Sequence, residues 1–236
     1  MENKEFLEII SSSFVKFLET SARSNKKLKI LHGAIAIDIE KRLGKGYAIC
    51  SLGCGEGKEV KISGRYMDKT VDIAVYKGEN DIAAIGVKFV MNNYSQNSNN
   101  YFENMLGETA NIRANKKKYF QILILPEELP YYDNSGKITH WEKITTHNIN
   151  KYIKLSNDDE DVFFHTPIKT LICIIKLPKL DIQTITNKTQ YKKHYLDIGS
   201  IKLDFSTNIS NSFGERVVLN DYEDFIKKVV FFLKSI

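Results

Sequence analysis

The chain has 236 residues, of which 42% are hydrophobic and 27% are charged, so its composition is that of an ordinary soluble globular protein. No apolar run approaches the roughly 18 residues that cross a bilayer, and the N-terminus lacks the cationic start and apolar run of a signal peptide, so we expect a cytoplasmic protein with no membrane partner. The three cysteines form no CxxC pair, which argues against a zinc site or a disulfide framework, and the net charge of +5 is a mild bias toward polyanions.

The first elements along the chain are predicted to be two helices followed by short strands. Apolar residues recur at helical spacing from about Lys4 to Thr20 and from about Lys26 to Leu43, where Gly44 is a suitable residue to end the helix. Gly78 and Asn80 tolerate positive φ, which predicts a hairpin turn. Apolar runs around that turn predict strands at Tyr47 to Leu52, Glu59 to Ser63, Thr70 to Val75 and Ala83 to Val90.

A polar stretch from Asn92 to Asn100 follows these strands. It is predicted to be a loop that leads into a helix beginning near Tyr101. The next run, Tyr119 to Pro126, is continuously apolar and is therefore typical of a strand buried on both faces. A strand, a helix and a buried strand form a βαβ-like crossover, so we expect a mixed central β-sheet in an α/β fold.

The signals weaken beyond Pro130, and the stretch from Asp181 to Asn211 allows no assignment. We expect one domain over residues 1–236, with a helical part at 1–45, a core at 46–130 and an elaboration at 131–236. The elements predicted in the last part are a short segment around Ile138 to Ile144, a helix near Asn148 to Leu155, a buried strand at Lys169 to Leu177 and a helix from Asp221 to Leu233.

Two charged side chains lie within the apolar runs of the predicted hairpin. Asp72 is flanked by Val71 and Ile73, and Lys88 follows Val87 in the next run. A charge in such a run loses water on folding, which is unfavourable unless a metal or a counter-ion compensates. Pairing across the turn brings Asp72 and Lys88 to the same end of the sheet. Two interpretations follow: an acid and a lysine of a metal-dependent site, or a structural ion pair between neighbouring strands.

The hairpin residues also stand at the positions of a known motif. Val71-Asp72 stands where Pro-Asp usually does, and Gly86-Val87-Lys88 stands where Glu-x-Lys usually does. With the order of the surrounding elements, this stretch from roughly Lys58 to Pro126 resembles the PD-(D/E)xK nuclease superfamily, most closely its type II restriction endonucleases. The resemblance implies a restriction-endonuclease-like core, a mixed central β-sheet flanked by helices, in which Asp72 and Lys88 are catalytic.

Gly86 departs from this motif because it replaces the acid expected two residues before the lysine. Some restriction enzymes with this fold supply that acid from the following helix, where Glu103 is suitably placed. The stretch from Asn99 to Gly107 is similar to the NNxxExxxG pattern of XhoI-type restriction enzymes, which supports Glu103. Glu103 also begins a predicted face of small and apolar residues that should pack against the sheet. The alternative is a first-turn glutamate stabilised by the helix dipole.

Two further acids are candidates for the same site. Glu108 lies five residues beyond Glu103, which turns it by about 140° on a helix, so both should not reach one metal ion. Asp38 lies beside the apolar stripe of the second helix, from which superfamily nucleases often add an acid, although a solvated position is the alternative. The five histidines show no ligand spacing, which indicates surface or core positions.

The resemblance implies a Mg²⁺-dependent type II restriction endonuclease that hydrolyses double-stranded DNA, with a homodimer for a palindromic site. Asp72 and Glu103 would bind Mg²⁺, and Lys88 would orient the attacking water or stabilise developing negative charge. The candidate DNA-contacting residues are Asn92, Asn93, Gln96, Asn97, Asn99, Asn100, Lys116 and Lys117.

Three alternatives stay open from the residues alone. The first is a catalytically silent nuclease-like DNA-binding protein, and the second is a DNA repair or recombination nuclease of the same superfamily. The third is an interaction protein in which Asp72 and Lys88 form a plain ion pair.

Overall fold

A mixed seven-stranded β-sheet forms the centre of this computed structural model, which describes residues 1–20 and 24–235. The strands are β1 (Tyr47–Ser51), β2 (Val60–Ile62), β3 (Lys69–Val71), β4 (Ile73–Lys77), β5 (Asn80–Phe89), β6 (Lys118–Pro126), β7 (Glu128–Tyr132), β8 (Ile138–Lys143), β9 (Lys169–Lys176), β10 (Asp204–Phe205) and β11 (Val217–Leu219). The helices are α1 (Asn3–Glu19), α2 (Lys26–Leu43), α3 (Tyr94–Arg113), α4 (Thr146–Leu155), α5 (Lys188–Ile198) and α6 (Tyr222–Lys234).

The central sheet has the order β1-β4-β5-β6-β9-β10, and β11 also pairs with β9. Strands β1, β4 and β5 are antiparallel to one another, whereas β5, β6 and β9 are parallel. Helix α3 connects β5 to β6, so the predicted crossover is confirmed. The pairs β2–β3 and β7–β8 form two small antiparallel sheets. The structure is thus α/β, with a mixed central sheet and helices on both of its faces.

Successive side chains of each central strand point to opposite faces of the sheet. On β6, Ile122 and Ile124 pack against α1, α2, α5 and α6, whereas Leu123 and Leu125 pack against α3 and α4. Strands β6 and β9 are therefore buried on both faces, which explains their continuous apolar sequences. A smaller apolar cluster joins β3 to the end of α3.

The stretch from Asn92 to Asn100, which we predicted to be a loop, is largely helical because α3 begins at Tyr94. The carboxylate of Glu142 on β8 accepts hydrogen bonds from the first two N–H groups of α3, at 2.7 and 2.9 Å. Asn93, with a left-handed φ of 47°, exchanges two side-chain hydrogen bonds with the backbone of Tyr132. The partners that start this helix come from a distant hairpin, so no local pattern predicts them.

Other differences from the prediction concern short or weakly patterned elements. The run from Thr70 to Val75 is interrupted at Asp72, which separates β3 from β4. Residues 131–236 are more than an elaboration, since they contribute β9, β10 and β11 to the central sheet. Strands β7, β10 and β11 and helix α5 were not predicted. None of the helices in the described ranges is long and apolar enough to span a bilayer.

Candidate active-site cleft and metal centre

A polar cleft of about 180 Å³ opens beside the hairpin of β4 and β5. It lies on the α3 side of the sheet, because Ile85 and Val87, which alternate with the cleft residues of β5, face the opposite core. The residues that line it are Lys69, Thr70, Val71, Asp72, Gly86, Lys88, Glu108 and Tyr119. The structure therefore brings the predicted pair Asp72 and Lys88 to one site.

Asp72 lies at the interruption between β3 and β4. The ladder between β4 and β5 ends at the pair Ile73 and Ile85, so the backbone of Val87 lacks a β4 partner. Oδ2 of Asp72 accepts the N–H of Val87 at 2.7 Å. This bond fixes the orientation of the carboxylate and leaves its second oxygen available to a ligand.

The side chain of Lys88 is half-buried in the same cleft. Within the described residues its amine forms neither a hydrogen bond nor an ion pair, and the carboxylate of Asp72 forms no ion pair. The structure therefore does not contain the plain Asp72–Lys88 ion pair that was the alternative interpretation.

Gly86 is the position where the motif places a carboxylate. A Cβ atom there would lie 2.3 Å from the hydroxyl oxygen of Tyr119 and 2.7 Å from Oε1 of Gln121, so this backbone position accepts no side chain without displacement. The Tyr119 hydroxyl lies 3.1 Å from Oε2 of Glu108 and 3.1 Å from Oε1 of Gln121. Side chains of β6 thus occupy the space next to Gly86 that the motif acid would fill.

Of the two acids considered on α3, the structure brings Glu108 rather than Glu103 to the cleft. Helix α3 packs on the sheet through Met105, Thr109 and Ile112, a face different from the one predicted. Glu108 flanks that face and accepts a salt bridge from Lys69 at 2.9 Å. Glu103 is exposed, is not among the residues that line the cleft, and interacts electrostatically with Lys151.

Asp72 also belongs to a second group of side chains, one that could hold a metal ion. His32 of α2, Glu59 just before β2, and Asp72 each offer one ligand atom, and these atoms lie within 4.8 Å of one another. Two donors on one octahedral Mg²⁺ or Mn²⁺ ion lie about 3 to 4 Å apart, so small side-chain movements suffice to bind an ion. We did not predict His32 or Glu59 as ligands, since neither belongs to a local motif.

The environment of His32 fits a metal ligand. The side chain is 0% exposed, and neither ring nitrogen has a hydrogen-bond partner among the described residues. Buried polar atoms are rarely left unpaired, and a cation held between this imidazole and the two carboxylates would give one ring nitrogen a partner. The sequence signal was a histidine within the apolar stripe of α2. This position indicates that His32 is buried, but it does not indicate that Glu59 and Asp72 lie near it.

Burial also sets the protonation of these groups. Desolvation lowers the pKa of His32, an effect that the charge of Asp72 opposes and that of Lys88 reinforces. Desolvation, followed by the negative charge of Asp72, raises the pKa of Glu59, whereas Lys88 lowers it. A neutral imidazole is the form that binds a metal ion, and a cation would relieve the repulsion between the two carboxylates.

Close backbone contact places α2 beside this cluster. A Cβ atom on Gly33 would lie 3.1 Å from the carbonyl oxygen of Leu52 and 3.2 Å from Cα of Gly53. Gly53 in turn takes a φ of 82° and approaches the carbonyl of Lys29. These glycines let the turn after β1 lie directly against α2, which positions the neighbouring His32.

The structure places the remaining predicted residues outside the cleft. Asp38 is buried in a structural network, where it accepts bonds from the terminal amine of Met1 at 2.7 Å, Nε of Arg42 at 3.1 Å and the hydroxyl of Tyr222 at 2.9 Å. It is therefore not available as an additional metal ligand.

The candidate DNA-contacting residues divide into two groups. Lys117 has a side chain only 10% exposed and is held by Asp81 at 2.6 Å and by Ser63, so it is committed within the protein. Lys116 is exposed. Of the candidates in the polar stretch, Gln96, Asn99 and Asn100 are exposed on the first turns of α3, whereas Asn92, Asn93 and Asn97 are half-buried.

Comparison with known proteins yields no match: no family model, no curated protein and no solved structure is significantly similar to this chain.

Proposed function

We propose that this protein is a metal-dependent nuclease that hydrolyses double-stranded DNA, of the type II restriction kind that its sequence resembles. The observation that carries the proposal is the cluster of His32, Glu59 and Asp72 beside the amine of Lys88, which has no partner among the described residues. An acid and a lysine on adjacent strands, next to a site able to hold a divalent cation, are the groups that phosphodiester hydrolysis requires.

The residues of the cleft divide the chemistry among them. A bound divalent cation supplies Lewis-acid polarisation of the scissile phosphate and lowers the pKa of water. Asp72, oriented by the N–H of Val87, would hold the cation together with Glu59 and the neutral ring of His32. The amine of Lys88 has no competing partner in the described structure, so it is available to orient the attacking water or stabilise the negative charge that develops on the phosphate.

Glu108 lines the cleft, where we had expected Glu103. Lys69 and Tyr119 hold its carboxylate in the cleft. Burial and the charge of Glu108 raise the pKa of Tyr119 well above its usual value, so the phenol remains a hydrogen-bond donor. We propose that Glu108 is the carboxylate that accompanies Asp72 in the part of the site that contains Lys88, whereas Glu59 accompanies Asp72 in the part that contains His32.

The nature of the cation follows from the ligand set. Two carboxylates suit Mg²⁺, the expected ion, whereas an imidazole nitrogen favours first-row transition ions such as Mn²⁺. We therefore propose a divalent cation site that accepts Mg²⁺ and binds Mn²⁺ more tightly.

The test is cleavage of plasmid and phage DNA with Mg²⁺ or Mn²⁺ by the wild type and by single variants. Asp72→Asn, Lys88→Ala and His32→Gln should each lower the cleavage rate by about 100-fold or more. Discrete phage DNA fragments would support site-specific cutting. Cleavage by Asp72→Asn at the rate of the wild type would overturn the proposal.

Glu103→Gln and Glu108→Gln form a matched pair, because both remove one negative charge from the same helix. Glu108→Gln should cut poorly, and Glu103→Gln should cut like the wild type. The reverse result would restore Glu103 as the second carboxylate.

A catalytically silent DNA-binding protein is the second candidate, because the position of the motif acid is filled by Tyr119 and Gln121. Titration calorimetry with MnCl₂ separates the two functions: heat of binding that disappears in Asp72→Asn supports the nuclease, and its absence in the wild type supports the silent protein. The homodimer is a further proposal, tested by sedimentation velocity with and without duplex DNA.

A further inference from the structure

The tip between β2 and β3 presents large apolar side chains to solvent next to the cleft. Tyr66 is 78% exposed, the highest value among the large hydrophobic side chains of the described residues, and Met67 is 66% exposed. Arg65 precedes them and is also exposed. Two adjacent large apolar side chains this exposed form a candidate contact surface.

The tip is held in place by one buried residue of α3, Asn111. Its backbone carbonyl accepts the N–H of Arg65 at 2.8 Å, and its side-chain oxygen accepts the N–H of Tyr66 at 2.9 Å. Its amide nitrogen donates to the carbonyl of Met67 at 2.9 Å. A Cβ atom on Gly64 would lie 2.5 Å from Cγ of Asn111, so only glycine permits this contact. The backbone is therefore fixed, and the two side chains project from a preorganised support.

The position of the tip relates it to the cleft. Lys69, Thr70 and Val71 line the cleft, and only Asp68 separates them from Met67 along the chain. Three extended residues span about 10 Å, which is about three base pairs of duplex DNA. Met67 therefore lies within about 10 Å of Thr70, a residue that lines the cleft.

The charge of this hairpin favours a polyanion. Residues 60–71 carry three basic side chains and one acidic side chain, Asp68. Within the described residues, Lys61 and Arg65 form no ion pair, whereas Lys69 pairs with Glu108. Lys61 and Arg65, which precede the exposed apolar tip, are therefore the two cations of this hairpin that could contact a phosphate backbone.

We propose that Tyr66 and Met67 form a wedge that inserts between base pairs of duplex DNA, with Arg65 on an adjacent phosphate. This role depends on the proposed nuclease function for its substrate. Proteins that insert apolar side chains between base steps unstack and unwind the duplex there, so that more of the backbone contacts the protein. The wedge would deform DNA within about three base pairs of the cleaved bond.

The test measures unwinding without metal. Relaxed plasmid is incubated with the protein in EDTA and a metal-independent type I topoisomerase, and the linking number is read on a gel after the protein is removed. The wild type should lower the linking number in proportion to the protein bound. Tyr66→Ser/Met67→Ser should leave it near the value without protein, and should bind a labelled 40-base-pair duplex about tenfold more weakly.

Phe231→Ser is the matched control, because Phe231 is 69% exposed on α6, on the opposite face of the sheet. It should unwind plasmid like the wild type. Arg65→Ala should weaken duplex binding and reduce its salt dependence by about one phosphate contact. The wedge proposal would be overturned if the double Ser variant unwound plasmid as much as the wild type does. It would also be overturned if the wild type bound duplex DNA without unwinding it.

The outcomes separate this inference from the proposed nuclease function. Unwinding that depends on Tyr66 and Met67, together with no cleavage in Mg²⁺ or Mn²⁺, supports the wedge and contradicts only the nuclease. Metal-dependent cleavage, together with unwinding that does not depend on Tyr66 and Met67, contradicts only the wedge.

Discussion

Gly86 illustrates how a single residue adapts the cleft. Its missing side chain makes room for the hydroxyl of Tyr119 and the amide of Gln121, which would otherwise collide with a Cβ atom. The same absence leaves the lysine strand without the carboxylate of the motif, while Glu108 enters the cleft from α3. Tyr119 therefore links Gly86 on the strand, which its hydroxyl approaches, to Glu108 on the helix, to which it is hydrogen-bonded.

This linkage predicts a coupled effect of two substitutions. Gly86→Ala should lower the free energy of unfolding by about 1 to 3 kcal/mol, because the new methyl group must displace Tyr119 and Gln121. In a Tyr119→Phe background the same change should cost less, since the atom at 2.3 Å is gone. Urea unfolding of the four proteins measures both values, and strictly additive effects would contradict the steric explanation.

Tyr94 allows a test of burial by pH. Desolvation, followed by the charge of Glu142, raises the pKa of Tyr94 to about 12, and its hydroxyl has no hydrogen-bond partner among the described residues. The raised pKa means that the folded state prefers the protonated phenol, so stability is complete below about pH 10 and is lost as the pH rises through 12. Tyr94→Phe should lack this share of the loss in unfolding experiments between pH 9 and 12. An unchanged slope would contradict the assigned burial.

At the scale of elements, the start of α3 depends on a capping carboxylate from another part of the chain. Glu142 binds two N–H groups at the helix N-terminus and complements the helix dipole. Because α3 carries Glu108 and Asn111, this cap supports both the cleft and the exposed tip between β2 and β3.

We expect Glu142→Gln to destabilise the protein by about 1 to 2 kcal/mol, because the neutral amide has one acceptor oxygen and loses the charge interaction. Urea unfolding gives the value, and amide exchange should show earlier opening of the first turn of α3. Glu103→Gln on the same helix is the control, since Glu103 is exposed and should change stability little. Equal effects of the two substitutions would contradict the capping role.

At the scale of the whole molecule, the proposed metal ligands come from three separate segments. His32 lies on α2, Glu59 precedes β2, and Asp72 separates β3 from β4. An ion bound by all three ties these segments together and binds only the folded state, so ion binding and folding are coupled.

MnCl₂ at a hundred times its dissociation constant should therefore raise the free energy of unfolding by about 2.7 kcal/mol relative to EDTA. His32→Leu should lose this increase, although in EDTA it should be at least as stable as the wild type, because leucine leaves no unpaired nitrogen buried. Thermal unfolding by circular dichroism measures both proteins. A wild-type response retained by His32→Leu would exclude His32 as a ligand.

The sequence by itself determined the strongly periodic elements and the pairing of adjacent strands. Helices α1, α2 and α6, the hairpin of β4 and β5, and the buried strands β6 and β9 follow from apolar spacing and turn residues, because these signals are local. The same locality placed Asp72 and Lys88 at one end of the hairpin, where the structure also has them.

Only the tertiary structure decided which other side chains join that pair. The early start of α3 depends on Glu142, and the packing of its buried face on the sheet turns Glu108, rather than Glu103, toward the cleft. The approach of α2 to the turn after β1 brings His32 to Glu59 and Asp72, residues up to forty positions apart in the chain. Such contacts depend on packing between distant segments, where one turn of a helix or one glycine changes which atoms meet, so no local pattern records them.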